Sequence, residues 1–285
     1  MEIRDLRIFL SVAQHGSISK AAEELHYVQS NVTARIKHLE ELLDTPLFHR
    51  KSKGVELTVS GHLLLDYAKK IVRLAKEAES AVTNQDEPRG KLLIGSMETT
   101  AAVRLPSLLA AYHRTYPQVE LKLVTGPSEA SIRRLLDFEV DGALVAGEIN
   151  PELLEAEKAF DEELVLVAPS DVTAVGQLKE RTILVFRSGC SYRAQLERWL
   201  RDTGNVPYQI MELGSIEGIL GCISAGMGIS FLPRSAVDNK NSQKTFTLIP
   251  LPEDFSKMTT WFVSRREEKP SKAMSVFREM VVAES

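Results

Sequence analysis

Two stretches of this sequence carry residue types that could act as nucleophiles. Ser17-Ile18-Ser19-Lys20 has the Ser-x-x-Lys spacing in which a lysine one helical turn away assists a serine. Cys190 precedes a helix expected over 191–203, and a thiol at a helix N-terminus loses its proton more readily. Neither constellation is complete. The serine motif has no Ser-Asp-Asn or Lys-Thr-Gly partner segment. Of the six histidines only His113 lies beyond residue 62, and it falls on a different predicted helix from Cys190. No His/Cys cluster has metal-ligand spacing, so neither metal nor cofactor is expected. A hydrolase or acyltransferase using Cys190 stays as an alternative, but enzymatic activity is not the expectation.

A third set of residues suits recognition instead of bond-making. Gln29, Ser30, Asn31, Thr33, Ala34, Arg35 and Lys37 lie within nine positions. Gln and Asn can pair bidentately with adenine, Arg with guanine, and a small side chain can meet the thymine methyl. At 100° per residue, Val32, Ile36, Leu39 and Leu43 fall on one side of a helix. Ser30, Thr33, Ala34 and Lys37 lie opposite, with Gln29, Asn31 and Arg35 on the flanks.

The elements that would hold this face are legible around it. Leu6, Phe9, Leu10 and Ala13 share one helical face over 5–15, and Gly16 then stops that helix. Ser17 or Ser19 can cap a second helix, whose apolar positions are Ile18, Ala21, Ala22 and Leu25. A tight break at His26-Tyr27 leads into the recognition-type helix, which is the spacing of a helix-turn-helix. Further on, His49-Arg50-Lys51-Ser52-Lys53 turns through Gly54 into Val55-Glu56-Leu57, a short basic hairpin. Arg50 and Lys53 at its tip would reach phosphates or the minor groove.

Thr58 can cap a long helix over about 59–84. Leu64, Ala68, Ile71, Ala75, Ala78 and Val82 are spaced 4, 3, 4, 3 and 4 apart, a heptad-like stripe that suits pairing with a second chain. A helix packed on its own domain would show a similar stripe. Residues 84–90, Asn-Gln-Asp-Glu-Pro-Arg-Gly, read as a hinge.

Beyond Lys91 strands and helices alternate: Leu92–Ser96, a helix over 106–116, 119–126, a helix over 129–138, and 140–147. The pattern restarts with 163–169, 182–186, a helix over 191–203, 208–213, a helix over 216–225 and 228–233, and a last helix spans about 271–283. This predicts a mostly parallel sheet in two α/β halves, with a ligand cleft where strand ends meet. Ser96-Met97-Glu98-Thr99-Thr100, Gly126-Pro127-Ser128 and the segment from Ser188 through Cys190, Ser191 and Tyr192 to Arg193 should face it. Hydroxyls and backbone amides without a lysine suit a small carboxylate or polar metabolite, and Glu98 opposes a strongly anionic one.

Composition bounds these readings. At 285 residues the chain suggests about two domains. It is 44% hydrophobic and 26% charged, with no apolar run long enough to span a membrane and no secretory pattern in Met-Glu-Ile-Arg-Asp-Leu-Arg. A cytoplasmic protein is expected. Cys190 and Cys222 alone cannot make a disulfide framework. The first 90 residues carry 13 basic and 13 acidic side chains, and the rest 22 and 26. Any DNA contact must therefore come from local clustering.

The first 65 or so residues resemble the LysR-type transcriptional regulators, a bacterial winged helix-turn-helix family. The resemblance rests on Phe9, Gly16-Ser17, Ala21-Ala22, Leu25, Gln29, Val32, Ile36, Leu39-Glu40, Leu47-Phe48, Arg50, Leu57-Thr58 and Gly61. Residues 105–117, 140–147 and 223–233 are similar to the family's effector-domain segments, so the likeness runs the length of the chain. Two positions depart: Val28 replaces the usual capping Ser or Thr, and Ala34 stands where many members carry a base-reading arginine.

The resemblance implies an α+β chain with a winged helix-turn-helix at 1–60 and a dimerising linker helix and hinge at 61–90. A two-lobed effector domain of the periplasmic-binding-protein type would follow at 91–285. Its first lobe would take about 91–160 and 265–285, its second about 161–264. It further implies a homodimer or homotetramer that binds promoter DNA and a small effector and meets RNA polymerase. Some members sense oxidants through a cysteine pair, so a redox-sensing regulator using Cys190 is the second reading.

Overall fold

The structure, a computed structural model, describes residues 1–51, 53–82, 87–178, 182–204, 209–238, 245–266 and 270–284; at 76, 77, 80–82 and 176 it describes backbone only. Ser52, hinge residues 84–86 and the side chain of Val82 thus lie outside the described set. Met1–Gln85 and Asp86–Ser285 form two compact units.

The first unit begins with α1 (Ile3–His15), α2 (Ile18–Glu24) and α3 (Gln29–Leu42). Gly16 ends α1 at φ +58°, a left-handed conformation that glycine adopts without strain. Ser17 Oγ then caps α2 by accepting from Lys20 N. The Val28 side chain has no acceptor to offer α3, and that helix starts without a side-chain cap. The hairpin is β1 (Phe48–Lys51) and β2 (Gly54–Leu57), antiparallel, with Arg50 opposite Val55. A Cβ at Gly54 would sit 2.2 Å from the carbonyl oxygen of Gly16, so the hairpin docks on the α1–α2 turn only through glycine. Thr58 Oγ1 accepts from Gly61 N and caps α4 (Val59–Val82).

Leu6, Phe9, Val12, Ala21, Ala22, Val32, Ile36, Leu39, Leu47, Phe48 and Val55 form the core of this unit. Leu43, expected on the same face, is 38% exposed. Ala68 belongs to that core and is 0% exposed, while Leu64 and Ile71 pack against it. Within the expected pairing stripe Ala68 is thus closed to a second chain, while Leu64 and Ile71 are half-buried against their own domain. The open apolar face of α4 is instead Leu63 (64% exposed), Tyr67 (59%) and Leu74 (67%), with Ala78 also exposed and Ala75 half-buried.

The second unit contains β3 (Gly90–Ser96), α5 (Glu98–Val103), α6 (Leu105–Thr115), β4 (Val119–Thr125), α7 (Ser128–Leu136), β5 (Gly142–Ala146) and β6 (Leu154–Pro169). There follow β7 (Thr182–Val185), α8 (Ser191–Asp202), β8 (Ile210–Glu212), α9 (Ile216–Ser224), β9 (Gly228–Pro233) and α10 (Arg234–Val237). The chain closes with β10 (Phe246–Pro250), α11 (Glu253–Ser256), β11 (Lys257–Arg265) and α12 (Lys272–Ala283). The sheet order is β4-β3-β5-β11-β6-β9-β7-β8, with β10 paired to β6.

Two parallel triplets, β4-β3-β5 and β9-β7-β8, are joined by the antiparallel pair β11-β6. The sheet is thus less uniformly parallel than strand–helix alternation predicts, because β6, β10 and β11 all run antiparallel to their partners. One core gathers Leu92, Leu105, Leu108, Tyr112, Phe160, Phe262 and Phe277; another gathers Leu164 to Val167, Ile183, Trp199, Ile219 and Phe231. They divide the unit into two lobes at the crossing of β6 and β11, near Phe160 and Thr260.

Candidate nucleic-acid interface and ligand cavity

On α3, Val32, Ile36 and Leu39 are buried while Gln29, Ser30, Asn31, Ala34 and Lys37 are exposed. Two hydroxyls and one amide are partly engaged. Thr33 Oγ1 donates to Gln29 O at 2.9 Å, and Ser19 Oγ donates to Gln29 Oε1 at 3.2 Å. The second bond leaves the Gln29 amide nitrogen free to donate outward.

Arg35 sits differently from a free base reader. Its Nη1 lies 3.1 Å from Asp5 Oδ1 and 3.4 Å from Glu2 Oε2, tying α3 to the start of α1. Ala34 forms part of a shallow depression with Ser30, Asn31, Arg35 and His38. Sequence reasoning passed over His38, which is exposed one turn beyond Ala34. The signal was its i+4 spacing from Ala34.

The hairpin is anchored to α3 by Glu40, whose Oε1 accepts from Leu47 N at 2.8 Å and Phe48 N at 3.1 Å. Arg50 and Lys53 are exposed on it. Lys51 pairs with Glu56 at 2.5 Å, so that cation is partly neutralised.

In the second unit a cavity of about 180 Å³ opens where the lobes meet. Met97, Glu98, Thr99, Thr125, Gly126 and Pro127 line it from the first lobe. Phe186, Arg187, Cys190, Tyr192, Leu213 and Gly214 line it from the second. The lobes are drawn together beside it. Thr99 Oγ1 donates to Tyr192 Oη at 3.1 Å, and Ser191 Oγ lies 3.2 Å from Ser128 Oγ and 2.5 Å from Ala146 O. Arg104 holds Glu162 by Nε–Oε1 at 2.8 Å and Nη2–Oε2 at 3.1 Å, and Ser235 Oγ donates to the same carboxylate. That pairing raises the Arg104 pKa.

Of the expected cleft residues, Met97, Glu98, Thr99, Gly126, Cys190 and Tyr192 line the cavity, whereas Ser96, Thr100, Ser128 and Ser191 do not. Ser128 and Ser191 hydrogen-bond to one another across the lobes. Ser96 Oγ donates to Met97 O, and Thr100 Oγ1 is buried without a partner. The expected anion seat at the start of α5 is also weakened. That helix has only six residues and carries Glu98 in its first turn. The arginine at 187 was overlooked; its signal is a basic residue at the C-terminal end of a predicted strand, where cleft groups gather.

Cys190 is 8% exposed, and burial pushes its thiol pKa up. A thiol held protonated is a poor nucleophile and reacts slowly with oxidants. Burial likewise raises the Tyr192 phenol above the ordinary tyrosine range. Among the described residues no group of three or more His, Cys, Asp or Glu could hold a metal ion, and no helix is long and apolar enough to cross a membrane.

A helix offering amides, hydroxyls and a small methyl outward, with two cations on an adjoining hairpin, is the surface of a DNA-binding protein. Its union in one chain with a two-lobed α/β domain defines a transcription regulator, not an enzyme. The chain belongs to the LysR family: residues 3–62 match the bacterial regulatory helix-turn-helix proteins of that family, and residues 85–285 match the LysR substrate binding domain.

An uncharacterized HTH-type transcriptional regulator of Bacillus subtilis, YusT, is 47% identical over 277 residues, covering 97% of this chain and 94% of that one. A full-length OxyR variant from Pseudomonas aeruginosa shares the fold with a TM-score of 0.77 at 22% identity, over 99% and 98% of the two chains. Full-length CbnR in complex with its target DNA aligns over 100% of both chains, with a TM-score of 0.69 and 22% identity.

Proposed function

We propose that this regulator binds a two-fold-related promoter site through paired copies of α3 and changes transcription when a small effector enters the inter-lobe cavity. Gln29, Ser30, Asn31, Thr33 and Ala34 read base edges, while Lys37, Arg50 and Lys53 meet phosphates. Arg35 positions α3 against α1. Met97, Glu98, Thr99, Gly126, Cys190 and Tyr192 contact the effector, a small carboxylate or polar metabolite. The protein acts in the cytoplasm as a homodimer or a tetramer of such dimers, paired through the Leu63–Tyr67–Leu74 face of α4, and it works on RNA polymerase at the promoter. The DNA-binding module takes residues 1–60, the linker and hinge 61–90, and the effector module 91–285, with lobes parting near 160 and 260.

The observation that carries this reading is the cavity lined from both lobes, since a ligand there adds contacts that depend on the angle between them. The DNA complex of CbnR, a protein of the same fold, supports the DNA half. The test is to sequence genomic fragments retained by the purified protein, then titrate a recovered site with metabolites of the genes beside it. Half-sites spaced by whole turns of about 10–10.5 base pairs are expected. Bound fragments lacking two-fold symmetry would overturn the paired arrangement.

A further inference from the structure

We infer that the cavity takes a zwitterion of amino-acid size, with its carboxylate on Arg187 and its ammonium on Glu98. This rests on the reading of the cavity as the effector site and narrows the effector's chemical class.

Twelve residues line the cavity, and Glu98 and Arg187 are the only charged ones among them. They stand on opposite lobes. Other charged groups nearby are only in part paired: Arg104 holds Glu162 and Arg193 holds Glu197 and Glu212, while Arg134 Nη1, buried without a hydrogen-bond partner, stands 3.1 Å from where a Gly126 Cβ would lie. Glu98 and Arg187 have no ion pair with each other or with any described residue. The lobes are nevertheless closed to hydrogen-bonding distance at Thr99–Tyr192 and Ser128–Ser191. Half-buried Glu98 and exposed Arg187 thus line one cavity from opposite lobes without an ion pair between them, and a molecule carrying both charges would bridge them.

Charge matching then selects among ligands. A simple carboxylate could bind the planar fork of Arg187 but would hold its anion near Glu98. A simple amine would satisfy Glu98 and face Arg187. A zwitterion satisfies both. The size agrees: a cavity of about 180 Å³ has room for a molecule the size of an amino acid. The Thr99 and Tyr192 hydroxyls are already bonded to each other, and most of the other side chains of the wall, Met97, Pro127, Phe186, Cys190 and Leu213, are apolar, with Thr125 adding one hydroxyl. The side chain that fits is therefore apolar or weakly polar.

The experiment uses the full-length protein and calorimetric titration with L-amino acids of apolar and small polar side chain. Each is paired with the α-keto acid and the amine bearing the same side chain. At least one amino acid should bind, with its keto acid and amine weaker by about tenfold or more, the loss of one charge-assisted contact. Glu98→Gln should weaken the amino acid by a similar factor and close the gap to the keto acid. Arg187→Gln should weaken both carboxylates and spare the amine. The melting temperature without ligand controls for folding of each variant.

A keto acid that binds as tightly as its amino acid would overturn the zwitterion while leaving the cavity as the effector site. Silence from all three classes would also overturn it. Amino-acid binding indifferent to both substitutions would place the ligand elsewhere and overturn the cavity reading as well.

Discussion

Thr99 Oγ1 of the first lobe donates a 3.1 Å hydrogen bond to Tyr192 Oη of the second, and both side chains are buried. Replacing the phenol with Tyr192→Phe leaves the Thr99 hydroxyl buried without an acceptor. Stability should fall by about 1–3 kcal/mol, measured by urea unfolding followed through tryptophan fluorescence. An unchanged midpoint would mean the two lobes are held by other contacts.

The same tyrosine should register in alkaline titration. Burial raises the phenol pKa of both Tyr192 and Tyr112, so the native state keeps protons that the unfolded chain releases near the ordinary value of about 10. Their stabilising contribution is whole below that value and is lost as pH climbs toward the native pKa. Absorbance at 295 nm should show a late tyrosinate component that coincides with unfolding and shrinks in Tyr112→Phe and in Tyr192→Phe. A titration with no late component would contradict the burial of both phenols.

Arg35 offers a test of positioning against base reading. Asp5 is 1% exposed and accepts from both Arg35 and Glu2 N, so Arg35→Met leaves a buried carboxylate with one partner fewer. Arg35 is itself about one-third exposed, and solvent screening tempers the loss to about 1–2 kcal/mol of domain stability. Operator affinity should decline by the same factor for every base variant. A loss confined to one base position would make Arg35 a reader.

Gln29 and Arg50 should separate the two kinds of DNA contact. Gln29→Ala should cost about 1–3 kcal/mol at a single base pair and leave non-specific affinity nearly unchanged. Arg50→Ala should weaken all sequences alike and flatten the salt dependence by about one unit of slope. Uniform losses in both variants would remove the distinction.

The open face of α4 predicts the assembly. Leu74→Glu places a charge among Leu63 and Tyr67 and should give smaller species in sedimentation velocity, with helical content retained. Ala68→Glu, aimed at a site with 0% exposure, should instead unfold the first unit. An unchanged sedimentation profile for Leu74→Glu would move the pairing surface elsewhere.

Local chemistry was readable from the sequence wherever one residue decides the outcome. Ser17 and Thr58 cap the helices expected of them, Gly16 ends α1, and the buried and exposed sides of α3 follow from spacing. The α4 stripe is ambiguous because a 4-3 spacing marks an apolar face without saying whose side chains cover it. In this chain α1 and its neighbours cover Leu64, Ala68 and Ile71.

Long-range pairing was the other blind spot. The first part of β6, Leu154 to Glu163, is rich in charged residues like a surface segment, and only its later run looks like a core strand. Nothing local in Lys257–Arg265 shows that it crosses the molecule beside β6. Arg187 is hard to single out for a related reason: it meets Glu98 only at the cavity, 89 positions away in sequence.

The crossing strands have a mechanical meaning. Both covalent routes between the lobes lie in one antiparallel ribbon, β6 with β11, and its register skips Ala159 between Thr260 and Trp261. A ribbon two strands wide twists easily but hardly stretches, because twist tilts its ladder bonds whereas stretch must break them. The skipped residue leaves one position of the ribbon without a ladder partner. The motion this ribbon allows is torque about a fixed axle, turning one lobe against the other without drawing them apart.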